Sequence, residues 1–275
     1  MADISAAAVK SLRDKTGLPM MKCKEALQAA EGDEQAAIDW LRKDNIKIQA
    51  SRVGRETSFG RMGLHVDWNK GVGALVELLC ESAPVAGNSE FVALANNLAK
   101  QLATGKGAKT GDELLGQPSP TAGQTLRDQL NDLTNRIREV FKVGRIARID
   151  GTCAGYVHHA GKTHGVLVEV TGGTLEAAKD ICMQIAATSP KALSKDDLDP
   201  ALVAKEREIL SEAARKEGKP ENIIGKMVEG RLRNFFAEQV LLEQPFVKDP
   251  ATTVGKYAQQ HGMTVVRYIH WELGK

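Results

Sequence analysis

Apolar residues recur every three or four positions through the first fifty residues, and caps and glycines interrupt them at helix-length intervals. Asp3 or Ser5 can cap a helix whose apolar face is Ala8, Val9 and Leu12, with Gly17 as its stop. Pro19 suits the first turn of a second helix, with Met20, Cys23, Leu27 and Ala30 inward and Gly32 past its end. Asp33 caps a third, with Ala37, Ile38 and Leu41 inward, and Lys47 to Arg55 reads as a basic linker or a frayed helix. Helices this short bury little surface, so they predict a small compact module.

From Phe59 the period changes to two. His65, Val66 and Asp67 lead into the turn Trp68-Asn69-Lys70-Gly71, and Val72, Ala74, Val76, Leu78 and Cys80 share one face of a strand. Glu81 to Gly87 reads as a loop. Asn88 or Ser89 caps a helix bearing Phe91, Leu94, Ala95, Leu98 and Leu102, and Gly105 to Gly123 reads as a mobile loop. A long helix follows, its stripe of Leu126, Leu130, Leu133, Ile137 and Val140 suited to a sheet or to a partner helix.

The segment from Gly144 onward then reads as a second copy of the first sheet. Gly63-Leu64-His65-Val66 and Gly73-Ala74-Leu75-Val76-Glu77-Leu78 match Gly155-Tyr156-Val157-His158 and Gly165-Val166-Leu167-Val168-Glu169-Val170, each pair 92 residues apart. A helix with Leu175, Ala178, Cys182 and Ile185 follows and ends at Pro190. Asp199-Pro200 opens a helix with Leu202, Val203, Ile209 and Leu210. Gly218-Lys219-Pro220 turns it back into a second, with Ile223, Ile224, Met227, Val228, Phe235 and Phe236, an αα-hairpin that can project. Val254, Tyr257 and Ala258 mark a last short helix, and Val265 to Leu273 a last strand. Tandem hairpin-plus-helix units predict an α+β fold with duplicated core subdomains.

Composition narrows the function classes. Hydrophobic residues are 42% and charged residues 26% of the 275, enough apolar surface to fold. The net charge of +2 argues against affinity drawn from nucleic-acid phosphates, so no direct nucleic acid is expected. No stretch approaches a membrane span, and no signal peptide is read at the start. Cys23, Cys80, Cys153 and Cys182 are far apart, which suits buried thiols in a reduced cytoplasmic compartment. There is no P-loop and no nucleophile elbow. His158, His159 and His164 cluster near a hairpin turn, but neighbours on a strand alternate faces, so no metal site and no cofactor is expected. Cys80 with His158 would be the thiol-enzyme option, and a buried structural cysteine is preferred.

Three motifs together resemble the translation elongation factor Ts family. Leu12-Arg13-Asp14-Lys15-Thr16-Gly17 with Met20-Met21-Lys22-Cys23-Lys24-Glu25-Ala26-Leu27 is similar to its N-terminal signature. Gly218-Lys219-Pro220 with Lys226-Met227-Val228-Glu229-Gly230-Arg231 is similar to a second, and Gln244-Pro245-Phe246-Val247 to a third. The resemblance implies a ubiquitin-associated-like three-helix module at 1–55, a core N-subdomain at 56–143, and a core C-subdomain at 144–275 with a helical hairpin inserted at about 199–238. It also implies a non-enzymatic exchange factor that binds elongation factor Tu, GDP-bound and nucleotide-free, dislodges magnesium and promotes GDP release. Homodimerisation is left open.

In that family the loop after the cysteine-containing strand reads Thr-Asp-Phe-Val-Ala and wedges into the partner near its magnesium. The matching residues are Ser82, Ala83, Pro84, Val85 and Ala86, which keep a hydroxyl but neither carboxylate nor aromatic ring. A rigid proline tip, backbone contacts, or a partner changed to match are the three explanations. Leu12, Arg13, Met20 and Met21 match the module that touches the partner, as do Tyr156 and His158 on the second subdomain, and one of the two methionines is expected in the core. Arg145 and Arg148 partly match a basic stretch near the end of the long helix. Contacts made by the C-terminal extension of longer members are expected to be absent. The alternative is a Tu-binding or chaperone-like module with little exchange activity because of the altered 82–87 loop.

Overall fold

A computed structural model describes residues 4–51, 54–160, 163–218 and 220–275. The fold is α+β, and the chain divides into two compact units. One holds the chain up to His65, Ala74–Arg148 and Leu273–Lys275; the other holds Val66–Gly73 and Ile149–Glu272.

The first unit begins with three helices: α1 (Ala6–Thr16), α2 (Met20–Ala29) and α3 (Glu34–Ser51). Ser5 caps α1 by accepting from the Ala8 amide at 3.2 Å, and Gly17 ends it at φ 67°. Asp33 caps α3, accepting from the Ala36 amide at 2.7 Å. Val9, Leu12, Cys23, Ala26, Leu27, Ala37 and Leu41 form the module's core. Met20, expected inward, is exposed: the buried stripe of α2 is Cys23, Ala26 and Leu27, and the open first turn lies outside it. Helix α3 runs to Ser51 through much of the stretch read as a linker. Asp3, the alternative cap, lies outside the described residues, as do Arg52 and Val53 of that stretch and Lys219 of the later turn.

Next comes a sheet of three strands, β1 (Phe59–Asp67), β2 (Val72–Cys80) and β3 (Lys142–Asp150), in the order β1-β2-β3. The pattern along β2 predicted one buried face, but Leu75 and Glu77 on the other face are buried as well, because β2 is the central strand. Between β2 and β3 run α4 (Ala83–Ala86), α5 (Ser89–Thr104), α6 (Gly111–Leu115) and α7 (Leu126–Ile137). Asn88 caps α5 through the Glu90 and Phe91 amides. A Cβ on Gly63 would overlap the Ala95 carbonyl, so glycine there lets α5 lie directly on β1.

Two loops of the sequence reading are corrected. Glu81 to Gly87 contains a helical turn, α4, because proline in a first turn forfeits no needed N–H. Gly105 to Gly123 is not a plain loop: α6 buries Leu114 completely, worth about 1.5–3 kcal/mol. Gln117 is buried beside it and bonds to Gln101 and to the Gly107 carbonyl. The helix after it packs on α5 and stops at Arg138, which is left-handed at φ 66°, so Val140 lies beyond the apolar stripe.

In the second unit β4 (Cys153–His158) and β5 (His164–Gly172) form an antiparallel hairpin, registered from Cys153 opposite Glu169 to His158 opposite His164. Then come α8 (Leu175–Thr188), the helical hairpin α9 (Pro200–Lys216) and α10 (Glu221–Gln239), and the short β6 (Pro245–Phe246) and β7 (Asp249–Thr253). The last elements are α11 (Val254–Gln260) and β8 (Met263–Glu272). The sheet order is β4-β5-β8. Both sheets therefore share one plan: a hairpin, a helix after its second strand, and a third strand added beside that second strand. The repeat seen at 92-residue spacing in the hairpins extends to this third strand, with β3 completing the first sheet and β8 the second.

Valines 166, 168 and 170, Ile181, Cys182, Ile185 and Phe246 make the second core. Ala214, Ile224, Val228 and Leu232 seal the helical hairpin, while Leu202 and Ile209 stay exposed on its outer side. Among the described residues no helix is long and apolar enough to cross a membrane.

Candidate functional site

The segment after β2 is the best-built exposed feature among the sequence-flagged positions. Cys80 ends the strand inside, and its thiol donates to the Ser82 carbonyl at 3.3 Å. The same carbonyl accepts from the Ala86 amide at 3.3 Å and closes the α4 turn. The hydroxyl of Ser82 points inward: its Oγ donates to Glu139 Oε1 at 2.6 Å, while its amide donates to Glu139 Oε2 at 3.1 Å. Glu81 reciprocates, Oε1 accepting from the Val140 amide at 2.7 Å and Oε2 from Arg55 Nη1 at 3.1 Å. Two carboxylates thus clasp the stem of the turn. Behind it, Phe91 meets Phe141 edge-on at 5.0 Å.

What the stem presents is small and uncharged. Ala83, Pro84 and Gly87 are exposed and Val85 is half-buried. Of the five loop residues matched by resemblance, Ser82 serves the stem, Ala83 and Pro84 form the tip, and Val85 and Ala86 are half-buried. Glu81 and Glu139 went unflagged, because they act only through a contact between segments 57 or more residues apart.

The remaining flagged residues fall in two places. In the helical module Leu12 is fully buried and belongs to the core, whereas Arg13 is exposed. Met20 is 46% and Met21 66% exposed, so neither methionine is in the core, contrary to the expectation for one of them. On β4, Tyr156 Oη lies 3.2 Å from His158 Nδ1. His164, opposite His158, meets His270 of β8, Nδ1 to Nε2 at 2.9 Å with near-parallel rings. His270 escaped notice because 106 residues separate the pair. Among the described residues no group of three or more His, Cys, Asp or Glu is placed to hold a metal ion.

Other flagged side chains are occupied within the fold. Arg145 and Arg148 sit on β3, not at the end of α7. Arg145 pairs with Glu77 at 2.6 Å, and Arg148 donates to the Leu102 and Gly105 carbonyls at the end of α5. Gln244 is buried; its Oε1 accepts from Gln184 at 3.0 Å and from Thr188 at 2.7 Å. Phe246 stacks on Tyr257 at 4.2 Å. Burial pushes the Cys80 thiol up to about 11, so it is not a thiolate nucleophile at neutral pH.

Comparison with known proteins places the chain in a family. The model of the family described as "Elongation factor TS" matches residues 84–275. A protein of Nitratidesulfovibrio vulgaris (strain DP4) named Elongation factor Ts is 40% identical over 291 residues, covering 99% of this chain and 96% of the relative. A Methylococcus capsulatus relative of the same name is 40% identical, with 99% and 92% covered. One from Saccharopolyspora erythraea is also 40% identical, with both chains covered in full. With a family model over most of its length and such relatives end to end, the chain belongs to the elongation factor Ts family.

Proposed function

We propose that the chain is a guanine-nucleotide exchange factor that docks on elongation factor Tu carrying GDP, loosens the grip on magnesium and phosphate, and lets GDP leave so that GTP can enter. It does no bond chemistry of its own and works in the cytoplasm. The observation that carries the reading is the α4 turn: an exposed tip, Ala83-Pro84, on a stem fixed by two carboxylates. Arg13, Met20 and Met21 supply a second, exposed contact, with Leu12 holding the helices behind them, and the half-buried Tyr156 and His158 a third.

The physics is a coupling between two ligands of Tu. The factor acts only through contacts that are better in nucleotide-free Tu than in the loaded form. If it weakens GDP binding, GDP weakens its binding by the same ratio, typically about 5–150-fold. An uncharged tip supplies no carboxylate to compete for magnesium. Its share of that coupling is steric: a stiff wedge that the loaded conformation of Tu cannot accommodate.

The test is release of fluorescent GDP from elongation factor Tu on mixing with excess protein. Acceleration of fivefold or more is expected, and an unchanged release rate refutes the reading. The same uncharged tip favours one other function, a module that holds Tu without exchange; complex formation with an unchanged release rate would establish it.

A further inference from the structure

We propose that Glu139 is a positioning residue for nucleotide exchange: its carboxylate holds the Ala83-Pro84 turn in the shape that docks. The inference rests on the exchange reading above and names the group that makes the tip effective. Ala83 and Pro84 bring no charge and little area, so their usefulness depends on being presented in one conformation. A turn of four residues cannot hold itself. Something outside it must do so.

Glu139 is built for that task. Arg138, in the left-handed conformation, ends α7 and sends the next residue back toward the β2 terminus. There both carboxylate oxygens of Glu139 are used on a single residue, one for the Ser82 amide and one for its hydroxyl. The acceptors are charged, which makes these bonds stronger than neutral ones. With its amide and hydroxyl held, Ser82 turns its carbonyl to Cys80 and Ala86 and starts the turn. The Gly87 and Asn88 amides then close on Pro84 and Val85 at 3.2 and 2.9 Å. Stiffening a segment in its bound shape lowers the ordering cost of association. The effect of Glu139 therefore belongs to docking, measured as the concentration of factor needed, more than to the rate once docked.

Three full-length variants test this with stopped-flow release of fluorescent GDP from elongation factor Tu. Glu139→Ala is expected to raise the half-saturating concentration about tenfold while the maximal rate stays within about twofold. Glu139→Gln keeps the shape, with an amide oxygen for the Ser82 amide and an NH2 for its oxygen, and should stay within about threefold of the parent. Thr174→Ala removes the cap of α8 in the other compact unit, a comparable loss of stability without a change in half-saturation. Hydrogen exchange on the free protein is the second arm: Glu139→Ala should speed the Ala86, Gly87 and Asn88 amides about tenfold. An unchanged half-saturating concentration, an equal shift in Thr174→Ala, or unchanged exchange of those amides overturns the proposal. If the parent protein binds Tu without releasing GDP, the exchange reading fails by itself. The binding constants of the same variants then take the place of half-saturation and decide the role of Glu139.

Discussion

Replacing Arg145 by Met tests whether this arginine serves the partner or the fold. Glu77 lies on the central strand with its side chain 5% exposed. It accepts from Arg145 Nη2 at 2.6 Å, Nε at 3.0 Å and the amide at 3.3 Å, and from the Gly274 amide at 3.2 Å. Burial by itself pushes this carboxyl up. The guanidinium of Arg145 and the Gly274 and Arg145 amides outweigh burial and hold it below its ordinary 4.5. Removing the guanidinium leaves a buried carboxylate short of its counter-charge. Breaking such a pair costs about 3–5 kcal/mol, and because Arg145 is 34% open to water the lower end applies, about 3 kcal/mol. For a chain of this size that lowers the melting temperature by roughly 6–12 °C. Circular-dichroism melts at pH 7 measure it, and GDP release per folded molecule should be unchanged at low temperature.

The pH dependence has a fixed sign. Because the folded carboxyl is depressed, its stabilisation is present above the unfolded value of 4.5 and is lost as pH falls through the lower folded value. Glu77→Gln should flatten that acid limb and leave stability between pH 6 and 8 independent of pH from this source. A melting temperature of Arg145→Met within about 1 °C of the parent, with release slowed instead, would refute the reasoning and return Arg145 to the interface.

Three further outcomes are expected. Replacing Ala83 and Pro84 together by Gly should slow GDP release several-fold while stability falls by only about 1–2 kcal/mol, the entropy gained by the unfolded chain, since both side chains are exposed; proportionate losses of melting temperature and activity would count against an interface there. Met20→Ala with Met21→Ala should weaken Tu binding about tenfold with an unchanged melt, because both methionines stand in solvent; unaltered affinity would remove the helical module from the contact. All four thiols are buried, and burial raises Cys80 and Cys153 to about 11 and Cys182 further still, so disulfide reagents at pH 8 should label the native protein only as fast as it opens; rapid labelling of any native cysteine would contradict this burial.

The elements that sequence alone determined are those made by interactions a few residues apart. Ser5, Asp33, Asn88 and Asp199 cap their helices where the pattern places them, and Gly17 ends α1. The paired hairpins and their glycines announced the duplicated α+β plan. Caps, turns and amphipathic periods act within one or two turns of chain, so single-chain spacing carries them. Tertiary structure decided the rest. The second copy reads as starting at Gly144, yet that residue lies in β3, which completes the first sheet, because a strand's partner is chosen by the open edge it meets. Leu114 becomes core only because α6 packs against both α5 and α7. Met20 has the spacing of a core residue and stays outside because the face of α2 that packs runs through Cys23, Ala26 and Leu27. The tip at Ala83-Pro84 was legible by position, but the clasp that shapes it joins Ser82 to Glu139, and the counter-charge of Glu77 comes from Arg145, 68 residues on. No local pattern encodes such pairs, since each forms only after the long loop between its ends has closed.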